Sequence, residues 1–584
     1  MKRISTSVAI VLLFTLSCSS RAEDLQSDAA GFPSFAVARL SIAKMGVFMD
    51  QTASYANKLV PNIGALAKAA LANALFKLPV DESLNFEGPA HIYVIPPLTW
   101  TLGQETASIL PVSNAEKLKK NIASVFGEAT EKDGVLTFVV EQPIPLPDKT
   151  LLVKIVGNKA LLAPNASVLK QLEAIAVSPD GQVDPADATL TISMSAVRKL
   201  YGNQIDSALI AGALLASESV EGLNKVAEQL DAINKTLWQI GTLEARLSFD
   251  KDQKNANAEL AIVPLKGSRL DDVLANPPPG LEGKNSGLLA LGSPINAAAR
   301  LNGKAISDAL KKFGIQSPAA RDGLDTALLD IFDGESAITF DSPRMTILQA
   351  QHSGDPAVSA KKMEALQKIL VDMVARAMNE AGYSAKGAVY APVVETVPYK
   401  STPMTIRKIG SHEGPAKLHP MVHDENGFLV HTHTNGLAIT SAGFNPDDSI
   451  KRLLDAPGQG IEISPDVKAE FDSPPPGTLV YLSVQVLEVA SMFAGDFLGE
   501  NTTPDQIVGG LSDVPVALSV FALKGKAGIR ASLPGVTARS LYITNLRLKR
   551  RGINMLDVLG SGGNKKDNDD VKVPGNIPAP PAVK

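Results

Sequence analysis

The sequence predicts an α+β protein made of two tandem related halves, each a long plus a short strand-and-helix module, with mainly antiparallel sheet. Three observations carry that expectation. Four segments run a short apolar strand directly into an amphipathic helix: FAVARLSIAKMGVF from Phe35, TLTISMSAVRKLYG from Thr189, GLLALGSPINAAAR from Gly287 and TLVYLSVQVLEVASMF from Thr478. The first and third modules also share a strand, a capped turn and a helix, NKALLAPNASVLKQLEA from Asn158 and NGLAITSAGFNPDDSIKRLLDA from Asn435. The second and fourth end alike in two strands joined by a turn, GTLEARLSFDKDQKNANAELAIVPLKGSRL from Gly241 and DVPVALSVFALKGKAGIRASLPGVTARSL from Asp513. Tandem duplication of a long-plus-short unit is the simplest account of this order. Irregular alternation of strands and helices suits α+β better than a doubly wound parallel sheet.

Residues 1–22 have the layout of a secretory signal peptide: Lys2 and Arg3, the apolar run Val8 to Leu16, and the small residues Ser20 and Ala22 before Glu23. Cys18, the only cysteine, offers a second reading as a lipid anchor, although Thr15 stands where such signals carry a Leu-like residue. Removing Lys2, Arg3 and Arg21 from 56 basic residues set against 61 acidic ones leaves a charge of −8. With aromatics at 5%, that balance argues against a nucleic-acid partner. No later apolar run reaches membrane-spanning length. An exported chain without a disulfide relies on core burial, which this length permits.

Residues 23–280 form the first expected half. Within it, Ser113 and Glu116 make a capping box ahead of Leu118, Ile122 and Val125 at helical spacing. Asp133-Gly134 signals a turn before the β-rich run VLTFVV. NPPPG at 276–280 closes the half, because three prolines cannot continue a helix or an internal ladder. Residues 281–548 form the second half, with a lengthened His-rich region at 385–434. Here Asp355 is placed to cap a long helix carrying Met363, Leu366, Ile369 and Met373 on one stripe, and SPPPG at 473–477 separates its long module from its short one. Residues 549–584 read as a basic start, including Lys549, Arg550 and Arg551, and then a disordered tail rich in Gly, Pro and Asp.

The sharpest chemistry lies at 411–436, which holds five of the seven histidines: His412, His419, His423, His431 and His433. His431 and His433 alternate on one strand face, a spacing that lets two imidazoles reach one zinc or copper ion, with His419 and His423 as further ligands from the adjoining loop. Against this, Pro420 removes the helical geometry that would pair His419 with His423. Asn435-Gly436 is a favoured hairpin turn, which puts both strand histidines on the wetter face of a polar hairpin. A pH-responsive surface is a further possibility, since imidazole titrates near pH 6.5.

Other catalytic signatures are absent or coincidental. Ser-x-x-Lys recurs along the chain, including from Ser41, Ser167 and Ser359, without its Lys-Thr-Gly companion. There is no Gly-x-Ser-x-Gly elbow and no Walker-type phosphate loop. The signal segment, modules such as TLTISMSAVRKLYG and the paired strands ending LAIVPLKGSRLDDVLANPPPG resemble in layout large exported proteins of unknown function from planctomycete-type bacteria. That resemblance implies export and a non-catalytic role. The expectation is therefore a periplasmic or extracellular binding or structural protein of the envelope, with an unknown ligand or envelope protein as partner and the cleft between halves as its working surface. The alternative is a metal-binding protein or metal-dependent hydrolase using His431 and His433.

Overall fold

In the computed structural model the described residues are 32–76, 81–96, 106–140, 149–177, 187–216, 234–250, 254–283, 293–301, 334–341, 346–352, 390–411, 429–434, 436–443, 446–455, 473–494 and 504–550, with 355, 357, 358, 360–362, 364, 365 and 471. The signal segment, Cys18, His412, His419, His423 and the tail from 551 lie outside them. The structure is a mixed α+β fold built on a large antiparallel sheet.

Twenty strands are found among the described residues. The first ten are β1 (Ala38–Ile42), β2 (Ala90–Val94), β3 (Thr106–Pro111), β4 (Ala129–Lys132), β5 (Val135–Val140), β6 (Lys149–Val156), β7 (Lys159–Ala163), β8 (Ala188–Ser193), β9 (Ile240–Phe249) and β10 (Asn255–Pro264). The next ten are β11 (Ile295–Leu301), β12 (Gly334–Asp341), β13 (Thr346–His352), β14 (Tyr390–Tyr399), β15 (Thr402–Ser411), β16 (Leu429–Thr434), β17 (Leu437–Gly443), β18 (Thr478–Val484), β19 (Val516–Leu523) and β20 (Lys526–Pro534). Their pairings run 4-5-6-7-3-2-1-8-9-10 across the first group. The second group runs 20-19-18-11-12-13-17-16-15-14. The two orders are mirror readings of one pattern, joined where β10 pairs with β20 from Asn255↔Pro534 to Ile262↔Ala527. The two groups are thus not separate sheets.

The helices follow the same logic of an apolar face laid on the sheet. On one face α1 (Met45–Leu59), α2 (Gly64–Phe76) and α3 (Ala115–Phe126) bury Met45, Phe48, Met49, Leu118 and Ile122 over Ile92, Leu110, Phe138 and Val153. On the other face α4 (Ala166–Val177) sets Val168, Leu169 and Leu172 on Tyr93, Ile109 and Leu161. On that same face α7 (Pro446–Asp455) sets Ile450 and Leu453 on Leu348, Ala350 and Val430. Further helices among the described residues are α5 (Met194–Ala216), α6 (Arg269–Ala275), α8 (Val486–Ala494), α9 (Pro504–Val508) and α10 (Gly535–Lys549). Tyr55 of α1 donates to Leu533 O at 3.0 Å and so ties the first group of elements to the end of β20. Among the described residues, no helix is long and apolar enough to cross a membrane.

Local signals explain most starts and stops. Asp133 (φ 54) and Gly134 (φ 73) form the left-handed two-residue turn between β4 and β5. Asp355 Oδ1 accepts from Ala357 N at 2.8 Å, as a helix cap does. Two expectations are corrected. The cap of α3 is Asn114, whose side chain accepts from Lys117 N, so the helix starts one residue later than a Ser113 box requires; Asn is an equally strong cap and stands in extended backbone there. In GLLALGSPINAAAR the Ala-rich end is β11 rather than a helix, because Ala298 fits the close packing against Tyr481 and Phe471. The two triproline segments also meet. Leu281 N donates to Thr478 O at 2.7 Å, and a Cβ on Gly280 would lie 3.2 Å from Gly477.

Candidate functional site

On the face carrying α4 and α7, the sheet between those helices is polar. Alternate residues project to one side of a strand, so the register assembles one row from eight neighbouring strands: His91, Ser41, Thr189, Arg246, Glu259, Arg530, Ser519 and Tyr481. At about 4.8 Å per strand the row extends roughly 34 Å.

Its centre, at the β10–β20 seam, is a charged network. Glu259 accepts from Lys526 Nζ at 2.7 Å and from Arg530 Nε at 2.8 Å, and Arg246 stands 3.6 Å away. Glu244 bridges Arg246 at 2.9 Å and Lys526 at 3.2 Å. Burial alone would push the Glu259 carboxyl up, but the hydrogen bonds and charges of Arg530 and Lys526 outweigh it and hold the group below its ordinary value. Arg530 also lies over the Phe521 ring, 3.9 Å from its centroid, which fixes the plane of the guanidinium.

Above this network is a cavity of about 430 Å³. Arg246, Glu259 and Arg530 supply its charge, Ser248, Asn257, Ser519 and Ser532 its neutral polar lining, and Tyr481, Ala517 and Pro475 its apolar part. Pro475 belongs to the second triproline segment, so that segment serves as a wall as well as a connector. Tyr481 is 2% exposed and held edge-on by Phe471 at 4.6 Å. Gly528 sits beneath, where a Cβ would run into Leu260 O and Ala261. Only glycine lets β20 approach β10 closely enough to bring Arg530 onto Glu259.

Farther along the row, His91 Nδ1 lies 2.9 Å from Ser41 Oγ. A hydroxyl–imidazole pair supplies two members of a nucleophilic triad and needs an orienting acid and an oxyanion site to become one.

The sequence-predicted metal residues are distributed as follows. His431 and His433 project from the same face of β16, as their spacing requires. His431 is 5% exposed, with Nδ1 3.1 Å from Thr440 Oγ1, whereas His433 is half-buried. The wetter-face expectation for His431 is therefore corrected. β16 is an interior strand, paired with β15 on one side and β17 on the other, and both of its faces are covered. Counted back from the last pair of each hairpin, Thr434↔Leu437 and Val156↔Lys159, His431 stands where Val153 stands in β6, and Val153 is fully buried. His419 and His423 fall outside the described residues, and among the described residues no three His, Cys, Asp or Glu side chains cluster as a metal site.

The central residues Glu244, Arg246, Glu259, Lys526 and Arg530 were not candidates on sequence grounds. The signal available was charge at same-face positions inside otherwise apolar strands, namely Glu244 with Arg246 and Lys526 with Arg530. It becomes informative only once β10 is known to pair with β20.

Compared with protein families, curated proteins and solved structures, the chain matches none of them.

Proposed function

We propose that this chain is an exported, non-catalytic binding protein of the cell envelope, built from two related halves, and that its ligand occupies the cavity over the β10–β20 seam. The observation that carries the reading is the convergence of Arg246, Glu259 and Arg530 with four neutral polar side chains around about 430 Å³ of open space. A volume of that order, part apolar and with a few directed polar groups, is the usual form of a small-molecule site, and junctions between structural units are common places for one. The common strand order of the two groups, and the matching hairpin positions of Val153 and His431, support descent of the halves from one unit. The signal-peptide layout of residues 1–22 supports export.

The test is a thermal-shift screen of the mature protein against small polar metabolites, run in parallel on Asn257→Phe, which fills the cavity from its half-exposed rim. Compounds that raise the melting temperature of the wild type and leave Asn257→Phe unmoved support the reading. Equal responses of the two proteins to every compound defeat it. Fractionation of producing cells checks export separately.

A further inference from the structure

We propose that the ligand of the seam cavity is a hydroxylated monocarboxylate, of the sugar-acid class, with its carboxylate on Arg530 and its hydroxyls on Ser248, Asn257, Ser519 and Ser532. This inference rests on the binding reading above and deepens it.

The charge inventory comes first. Arg246 and Arg530 line the cavity against the single carboxylate of Glu259. Adding the supporting residues Lys526 and Glu244 leaves the same excess among the described residues, three cations to two anions. One positive charge in a half-buried site is balanced by one ligand anion. A dianion would over-compensate, and a neutral ligand would leave the cation poorly solvated.

Donor capacity points to the same class. Arg530 uses Nε on Glu259, stacks on Phe521 and places one terminal nitrogen 3.5 Å from Pro476 O. Its other terminal nitrogen has no partner among the described residues. A guanidinium held in plane, with one edge committed and part of its fork spare, suits a planar carboxylate. Ser248, Asn257, Ser519 and Ser532 line the cavity, and their side chains make no hydrogen bond among the described residues. They are small, neutral and able both to donate and to accept, which is what sugar hydroxyls require. Pro475, half-exposed in the cavity wall, offers apolar surface to the C–H face of a pyranose.

The experiment is calorimetric titration of the wild-type protein with D-glucuronate, D-galacturonate and D-gluconate, and with D-glucose and inorganic phosphate as controls. The expected result is saturable binding of at least one sugar acid, about tenfold or more tighter than glucose or phosphate. That preference should fall about tenfold in Arg530→Gln and, independently, in the Ser519→Ala/Ser532→Ala variant, which keeps the ion network and guards against a folding failure of the first. Glucose binding as tightly as the acids, with both lost in Asn257→Phe, overturns the carboxylate assignment and leaves the cavity reading standing. Tightest binding by phosphate overturns the sugar-acid class in the same way. Absence of binding by all three acids overturns the inference, and the metabolite screen then decides the broader reading on its own.

Discussion

Replacing Glu259 with Gln removes the charge at the centre of the seam while keeping its shape and one acceptor oxygen. Losing one partner of a fully buried ion pair costs about 3–5 kcal/mol, whereas an exposed pair is worth about 0.2–1. Glu259 retains 16% of its side-chain exposure, and its three cationic partners retain 15–28%. Arg246 and Lys526 keep Glu244, so Arg530 is the cation that loses its carboxylate. The expected loss therefore falls between the limits, at about 2 kcal/mol. It is measured as a lower denaturation midpoint at unchanged slope at pH 7. The sign with pH is fixed, because the folded-state pKa of Glu259 is lowered. Its contribution is fully present above the unfolded value of about 4.3 and is lost as pH falls through the lower folded value. The gap between wild type and variant should close on acidification. A difference below about 0.5 kcal/mol at pH 7, the scatter of ordinary surface substitutions, or a gap that widens in acid, refutes the account of the seam. Adding Arg530→Met to a Glu259→Leu background should recover part of the loss, since the two residues are coupled.

Four further outcomes can be measured by thermal or chemical denaturation. Gly528→Ala should cost about 3 kcal/mol or more, or prevent soluble folding, because its Cβ enters the β10 backbone; Gly525→Ala, at φ 72 with open space around it, should cost only about 1 kcal/mol. His431→Val should stay within about 1 kcal/mol of wild type, since it places at His431 the residue found at the matching, fully buried position of β6; a loss above about 3 kcal/mol would show that the imidazole has a larger structural part. Asn114→Ala should lose about 1 kcal/mol through the cap of α3, and Ser113→Ala should lose less through that cap. Glu488 is raised by burial and by the nearby charge of Asp513. Glu488→Gln should therefore be slightly stabilising at pH 7, by less than about 1 kcal/mol because the group is largely solvated, and the advantage should vanish below pH 4.3 or so, where the unfolded carboxyl is protonated too.

Much of the architecture is legible along the chain because it is encoded locally. The segments from Phe35, Thr189 and Thr478 each carry their strand and the helix behind it, and Asp133-Gly134 marks a hairpin turn by residue type alone. What is not legible depends on partners distant in sequence. Nothing in NANAELAIVP names KAGIRASLP as its neighbour, so the ion network and cavity, which exist only through that pairing, leave no local trace. The histidine stretch illustrates the opposite hazard. Alternation of Val430, His431, Thr432 and His433 reads as one wet and one dry face, yet an interior strand is covered on both, and its register assigns His431 a place that a valine fills elsewhere. At α3, Ser113 and Asn114 are adjacent and chemically equivalent caps, so only backbone geometry chooses between them.

The β10–β20 seam has a consequence in time. β10 ends at Pro264 and β20 at Pro534, so the strand that closes the sheet is synthesised about 270 residues after the strand it closes. At about 5–20 residues per second, the first ten strands spend roughly 15–50 s with β10 as a bare edge, its N–H and C=O groups and the carboxylate of Glu259 awaiting a partner not yet made. An open antiparallel edge of that kind will accept any extended segment of compatible pattern, including β10 of a neighbouring nascent chain. The carboxylate inside β10 favours the late-arriving Lys526 and Arg530 over another copy of itself, so the charges that shape the cavity also select which strand completes the molecule.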